Sequence, residues 1–467
     1  MATIFTAHAT VLGRDLCDRG YDLYRVIEKI DAENEASGSL LHRHAIERLA
    51  AQNCGILTAV SEITSIECEH LLGRASDAVL PNGMNLSSRL TAGGSSNVAL
   101  RYNSKVKIRE FVHGHFYGQL DTFNAQKALY FFLAGRYEYS NKGADVYIEA
   151  LARLNKRLKA EKDGLPSVVA FIVMPANVDS ISTEALHRQA TLKTVEQTVG
   201  DIERDFLKKL RDRALVWRPG QQVPTETELI TQRDNAALRR CLYGIKTSEL
   251  PPLATHNIVH RRDDPILNHL HAADLLNREE DRVKVVFHPD FLNPSSSVFP
   301  IDYNEFIRGA HLGVFPSKYE PWGYTPAECL VKGVPAIASN LSGFGNHMER
   351  LLRDVSASEH GLYIVDRRKT DFEGAVQQTM EYMYGFCRSK QRERIEQRNR
   401  ADRLGEFLDW AELHGEYGKA RKMALERKYG RVKGGKSRKE PPRRLPEIRQ
   451  RSELSLSSCE ATPDLNL

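Results

Sequence analysis

Six short apolar runs between residues 128 and 365, separated by stretches of helical patterning, constrain this chain to an α/β fold before any single residue is considered. They are Ala128-Leu-Tyr-Phe-Phe-Leu-Ala134, Val168-Val-Ala-Phe-Ile-Val-Met174, Val283-Lys-Val-Val-Phe287, Leu312-Gly-Val-Phe315, Ala336-Ile-Ala338 and Leu362-Tyr-Ile-Val365. The spacing predicts a doubly wound domain, with a helix over Gly143 to Lys159 after the first run. A shorter version of the rhythm precedes it. Met1 to His8 reads as a strand feeding a helix from about Val11, and Gly55 to Val60 and Ala78 to Pro81 read as further strands, too few to complete a parallel sheet.

The expected organisation is a partial N-terminal lobe over 1–120, a C-terminal lobe over 121–380, arginine-rich and C-terminal helices over 381–428, and a disordered tail over 429–467. The second lobe carries an inserted helical segment at about 180–245. Within it, Ser182 to Ala214 places Leu186, Leu192, Val195, Val199, Ile202, Phe206 and Leu210 at three-or-four spacing, the stripe of a long amphipathic helix. Such a helix can pack on its own domain or against another subunit. The tail is basic with Gly and Pro, then Ser-rich over Ser452 to Ser458.

Charge narrows the function classes. The net charge is only +5, and the positive residues gather in Arg388 to Arg403 and Lys419 to Arg451, which is not a nucleic-acid footprint. No apolar run is long enough to cross a bilayer, and no signal segment opens the chain, so the expectation is a soluble protein that does not engage a membrane. Seven cysteines without CxxC pairs or zinc spacing argue against a metal knot or a disulfide framework and for a reducing, cytoplasmic setting.

The chemistry concentrates in Phe315-Pro-Ser-Lys-Tyr-Glu-Pro-Trp-Gly-Tyr-Thr-Pro-Ala-Glu328. A strand ends near Phe315 and a helix begins around Thr325, with Pro326 in its first turn, where a missing N–H costs little. The backbone N–H groups of Gly323, Tyr324 and Thr325 then face an anion at the carboxyl edge of the sheet. Glu320 lies in the loop and Glu328 one turn inside the helix. A carboxylate there can hold donor-sugar hydroxyls and offset positive charge developing at an anomeric carbon. Ala134-Gly-Arg-Tyr-Glu-Tyr-Ser-Asn-Lys-Gly143 is a second strand-to-helix loop. Its Arg136 and Lys142 can clamp a pyrophosphate, the guanidinium bidentately and the ammonium as a point charge, or form structural salt bridges instead.

His-Pro-Asp-Phe-Leu at 288–292, Tyr303-Asn-Glu-Phe-Ile-Arg-Gly309, Gly313 to Glu328, Asn340-Leu-Ser-Gly-Phe-Gly345 and Ala134 to Asp145 resemble the eukaryotic glycogen synthases, glycosyltransferase family 3. The resemblance runs from about Thr3 to Leu425 and implies the GT-B fold, two Rossmann-like lobes with UDP-glucose in the cleft. It implies that Arg136 and Lys142 contact the UDP pyrophosphate, with Gly323, Tyr324 and Thr325 as its backbone nest. Phe291 and Tyr303 match residues beside the uracil, and Trp322 falls within the same donor-binding segment. Glu320 matches the acidic residue assigned to catalysis, with Glu328 its companion; His8 and Arg14 match residues facing the donor glucose.

The implied reaction is transfer of glucose to the 4-hydroxyl of a glycogen end with retention, without metal or PLP. The resemblance also implies a homotetramer, a glycogenin-type primer and activation by glucose-6-phosphate. Within Arg388 to Trp410, read as one helix, Arg394 and Arg398 share one side, while Arg388, Arg392, Arg400 and Arg403 gather on another. The family's first set binds the sugar phosphate and its second responds to tail phosphorylation; Gln391 stands where an arginine is common. The family's opening strands and Lys-x-Gly-Gly loop are absent from this sequence. A catalytically incompetent member that assembles with or regulates longer subunits is therefore the competing reading, and another GT-B transferase such as sucrose synthase a weaker one.

Overall fold

The computed structural model describes residues 1–86, 94–120, 125–161, 164–218, 225, 229–243, 250–352 and 357–430. The expected disordered tail lies outside the described residues from 431 onward, as do parts of the inserted segment.

Strands β1 (Ile4–Ala7), β2 (Ile56–Ala59) and β3 (Ala78–Val79) form a parallel sheet in that order. Helices α1 (Val11–Asp18), α2 (Gly38–Asn53) and α3 (Glu62–Leu71) complete this first lobe, with the short turns Leu23–Val26 and Ala32–Glu35 between them. Helix α1 starts where Thr10 accepts the Gly13 N–H, and α3 where Ser61 accepts the Thr64 N–H, side-chain oxygens satisfying otherwise orphan donors.

The second lobe holds α4 (Gly94–His115), β4 (Leu129–Ala134), α5 (Ala144–Ala160), β5 (Val168–Val173), β6 (Val178–Ile181), α6 (Thr183–Val216), α7 (Gln232–Tyr243), β7 (His256–Ile258), α8 (Pro265–Ala272), β8 (Val283–His288), α9 (Tyr303–Gly309), β9 (Leu312–Phe315), α10 (Tyr324–Val331), β10 (Ala336–Ser339), α11 (Gly343–Leu351), β11 (Leu362–Val365) and α12 (Phe372–Arg388). Six strands make one parallel sheet in the order β11-β10-β9-β4-β5-β8, while β6 and β7 form an antiparallel pair. All six residues of β4, β5 and β8 are buried, as in a sheet covered on both faces. The chain builds from β4 outward through β5 and β8, then returns to β4's other side with β9. From β4 the chain runs on to β5 and from β9 to β10, on opposite sides, so the carboxyl edge between β4 and β9 is the topological switch point where doubly wound sheets bind ligands.

The segment Arg388 to Trp410 is not one helix. Arg388 ends α12; the chain bends at Ser389, Lys390 is extended, and Lys390 N–H donates to the Glu393 carboxylate at 2.7 Å, capping a new helix α13 (Gln391–Gly405). Arg388 is therefore separated from Arg392, Arg400 and Arg403 by a break. Helix α14 (Trp410–Tyr429) then crosses back to the first lobe, where Arg427 donates to Gly55 O at 2.6 Å and pairs with Asp77 at 2.8 Å.

The long inserted helix begins at the Ser182 cap, as the spacing predicts. Its first turns dock on α4: Gln189 donates to Phe111 O at 2.8 Å and Leu192 is buried. Farther along, Val199, Leu207 and Leu210 are exposed although α7 packs alongside.

Candidate active site

Two loops leave adjacent strands and converge. The β4 loop reaches α5 through Gly143, whose φ of +77° favours glycine and whose Cβ would meet Pro316 O at 2.3 Å. This close approach seats one loop on the other. The β9 loop ends at Gly323, the cap of α10, with φ of +106°. Lys142, Glu320, Gly323 and Thr325 line one narrow pocket together with Ala134, Ser317 and Ser342.

Within it the Lys142 ammonium donates to the Glu320 carboxylate, both side chains being largely buried. Glu320 is anchored through its backbone, whose carbonyl accepts the Gly343 N–H at 2.9 Å. A cation, a carboxylate and the start of a helix side by side are the groups that recognise a phosphorylated sugar, the anion suiting Lys142 and the helix and the hydroxyls Glu320.

The other anticipated residues are dispersed around this pocket. Arg136 is exposed and ion-pairs with Glu138 at 3.0 Å. Tyr324 is half-exposed beside Gly323. Trp322 is buried with its ring against Phe344 and His347, away from the pocket lining. Glu328 accepts a hydrogen bond from the Tyr303 hydroxyl at 3.0 Å, and burial raises its carboxyl above the usual range. Phe291 stands 74% exposed beyond β8. His8 is exposed at the end of β1, and Arg14 on α1 is near enough to oppose the upward shift of the Tyr319 hydroxyl.

Composition and spacing gave no sign of the cluster behind Glu320. Glu67 on α3 is fully buried, accepting hydrogen bonds from Thr10 at 2.5 Å, Tyr24 at 2.7 Å and Tyr319 at 3.2 Å. Burial raises its carboxyl to about 7, against the lowering effect of those three hydroxyls.

A cationic cluster joins α13 to α4. Arg394 and Arg398 face Arg101, Lys105 and Arg109, which recur every four residues and so share one side of α4. Burial, then the charges of Arg398, Arg101, Arg109 and Arg394, depresses Lys105 to about 8. Burial and Arg398 bring Arg101 down to about 10. That four-residue recurrence was readable in the sequence and is the signal missed. Arg392 pairs with Glu396 at 3.1 Å, Arg400 donates to Glu359 O at 2.8 Å, Arg403 is exposed, and Arg388 stacks near Tyr384 at 5.8 Å.

Among the described residues no group of three or more His, Cys, Asp and Glu could hold a metal ion, and no helix is long and apolar enough to cross a membrane. The six described cysteines are free.

The family model described as glycogen synthase matches residues 1–457. The chain belongs to the glycogen synthase family. It is 49% identical to a glycogen [starch] synthase of Neurospora crassa over 430 residues, 92% of this chain and 60% of that protein. Isoform 2 of Saccharomyces cerevisiae is 47% identical (92% and 61%), and the liver enzyme of Mus musculus 43% (92% and 60%). The chain thus spans about three fifths of the length of these relatives. Among solved structures, the glycosyltransferase WaaG of lipopolysaccharide biosynthesis is similar over 90% of this chain and 74% of its own, at 12% identity and a TM-score of 0.42.

Proposed function

We propose that this chain acts in glycogen synthesis, binding UDP-glucose at the Lys142–Glu320 pocket and transferring glucose, with retention, to the 4-hydroxyl of a glycogen end. The observation that carries the reading is the meeting of Lys142, Glu320 and the α10 start in one cleft at the switch point. Lys142 and the amides of Gly323, Tyr324 and Thr325 hold the diphosphate. Arg136 joins them by giving up its surface pair with Glu138, an exchange that costs little. The bond from C1 to the β-phosphate oxygen breaks with its electron pair leaving on UDP. The acceptor oxygen bonds to C1 on the same face, and its proton passes to the departing phosphate. Glu320 holds the sugar and offsets positive charge at C1. Glu328, bonded to Tyr303, supports the α10 end of the site.

The cluster of Arg394 and Arg398 with Arg101, Lys105 and Arg109 supports binding of a phosphate-bearing effector, glucose-6-phosphate by family. An anion there relieves the mutual repulsion of five cations. The exposed stripe of α6 supports self-association, for which a symmetric oligomer supplies the partner.

A second reading is a non-catalytic family member that works through longer subunits. It is favoured by His8 and Arg14, the residues matched to the donor glucose, which do not line the pocket. Incubating the chain with labelled UDP-glucose and glycogen separates the two. Label appearing in polymer supports transfer; UDP-glucose bound without incorporation supports the second reading.

A further inference from the structure

Each of the two charged pocket residues follows a residue held by the first lobe. Asn141, before Lys142, donates from its side chain to Asp18 on α1 at 2.6 Å. Its backbone carbonyl accepts the N–H groups of Lys318 at 3.0 Å and Tyr319 at 3.3 Å, joining the two loops. Tyr319, before Glu320, is 2% exposed and donates to Glu67 on α3. Pro321, after Glu320, accepts from the Ser61 hydroxyl at 2.8 Å, and Lys318 donates to Gly20 O at 3.1 Å. A bare loop of this length would sample many conformations, and the three contacts of the first lobe with Lys318, Tyr319 and Pro321 remove that freedom.

We propose that Glu67 and Tyr319 are positioning residues: the first lobe, through the Glu67–Tyr319 and Ser61–Pro321 contacts, holds the loop that presents Glu320 to Lys142. Lobe docking and pocket geometry are then one event. When the lobes separate, Tyr319 loses its carboxylate partner and Glu320 its fixed approach to the sugar. Glu67 suits the task because a fully buried carboxyl with three hydroxyl donors has one well-defined arrangement, and disturbing it leaves buried polar groups unmatched. Neither residue touches the substrate in this scheme. The inference rests on the transfer reading for its catalytic consequence, but the loop's order can be measured without it.

The test uses the full chain and the variants Tyr319→Phe and Ser61→Ala, each removing one hydroxyl and little volume. Hydrogen exchange of the Lys318 and Tyr319 amides is expected to speed up by about tenfold in either variant, an effect on local opening rather than global unfolding. UDP affinity by calorimetry is expected to stay within about twofold, since Lys142 and the helix start are untouched. The rate of glucose transfer at saturating UDP-glucose is expected to fall about 10- to 100-fold with KM nearly constant, the signature of a misplaced group rather than a lost binding contact. Unchanged exchange in both variants overturns the proposal. So does a loss of UDP binding parallel to the loss of rate, which would mark a general collapse of the pocket. Should the unmutated chain transfer no glucose, the transfer reading falls while the exchange measurement still decides the positioning claim.

Discussion

Lys142 and Glu320, 178 positions apart in the chain, close on each other as an ion pair with only 12% and 19% of their side chains exposed. The pair sits where the loops from β4 and β9 meet, so each residue holds the other's side chain at the pocket. Glu320→Gln keeps the shape and removes the charge. It is expected to lower glucose incorporation into glycogen about 10²- to 10³-fold, the usual effect of losing one preorganised electrostatic group, while UDP affinity changes by less than about threefold. Near-normal turnover would remove Glu320 from the reaction.

The α4–α13 cluster predicts the response to a sugar phosphate. Arg394→Ala with Arg398→Ala is expected to abolish glucose-6-phosphate binding by calorimetry and with it any stimulation of transfer, a coupling on the order of 5- to 150-fold. Arg388→Ala with Arg392→Ala is expected to leave that binding intact, because Arg388 belongs to α12 and Arg392 pairs with Glu396 at the surface. Effector affinity should weaken as pH rises through about 8, where Lys105 gives up its proton. Full binding by the first double variant would make the cluster an unliganded charged face.

The exposed half of α6 predicts self-association. Val199→Asp with Leu207→Asp introduces charge on the solvent-facing stripe and is expected to lower the particle mass seen by light scattering. Leu192, expected from its spacing to share that surface, is buried against the second lobe and its replacement would test folding instead. An unchanged mass would show that the stripe has no partner in a second copy.

Glu67 predicts a slope of stability with pH. Its carboxyl is raised to about 7 in the folded chain, so the protonated form favours folding at acid pH and that contribution is lost as pH climbs through about 7. Glu67→Gln cannot ionise. Thermal melts from pH 5 to 8 should therefore show the unmutated chain losing stability relative to the variant by up to about 3 kcal/mol. The titrating groups nearest Glu67, Tyr24, Tyr319, Cys17 and Cys68, are all pushed upward and stay neutral over this range. Parallel melting curves would contradict the assignment.

Much of the second lobe was legible because its strands are continuous apolar runs, and burial on both faces leaves that pattern no other use. The α10 start was legible from Pro326 and Gly323, local turn chemistry that acts within a few residues. The break after Arg388 was not, since Arg-rich periodicity continues smoothly across it and only the Glu393 cap marks the new helix. Trp322 reads as part of the donor segment, yet large rings next to a glycine turn fill the space beneath it. The Glu67 network was invisible for another reason. Thr10, Tyr24, Glu67 and Tyr319 come from four separate stretches: the first three meet through the packing of the first lobe and Tyr319 joins them only where the lobes dock, which no local pattern records.

Whether Lys142, Glu320 and the start of α10 form one donor site is decided by a calorimetric titration of UDP into the unmutated chain and Lys142→Ala. Saturable one-to-one binding is predicted for the former. Loss of charge-assisted hydrogen bonds should weaken it by about 2 kcal/mol in the variant, roughly thirtyfold in Kd. Equal affinity in the two proteins, or no binding of UDP by either, would mean that these groups do not form a donor site.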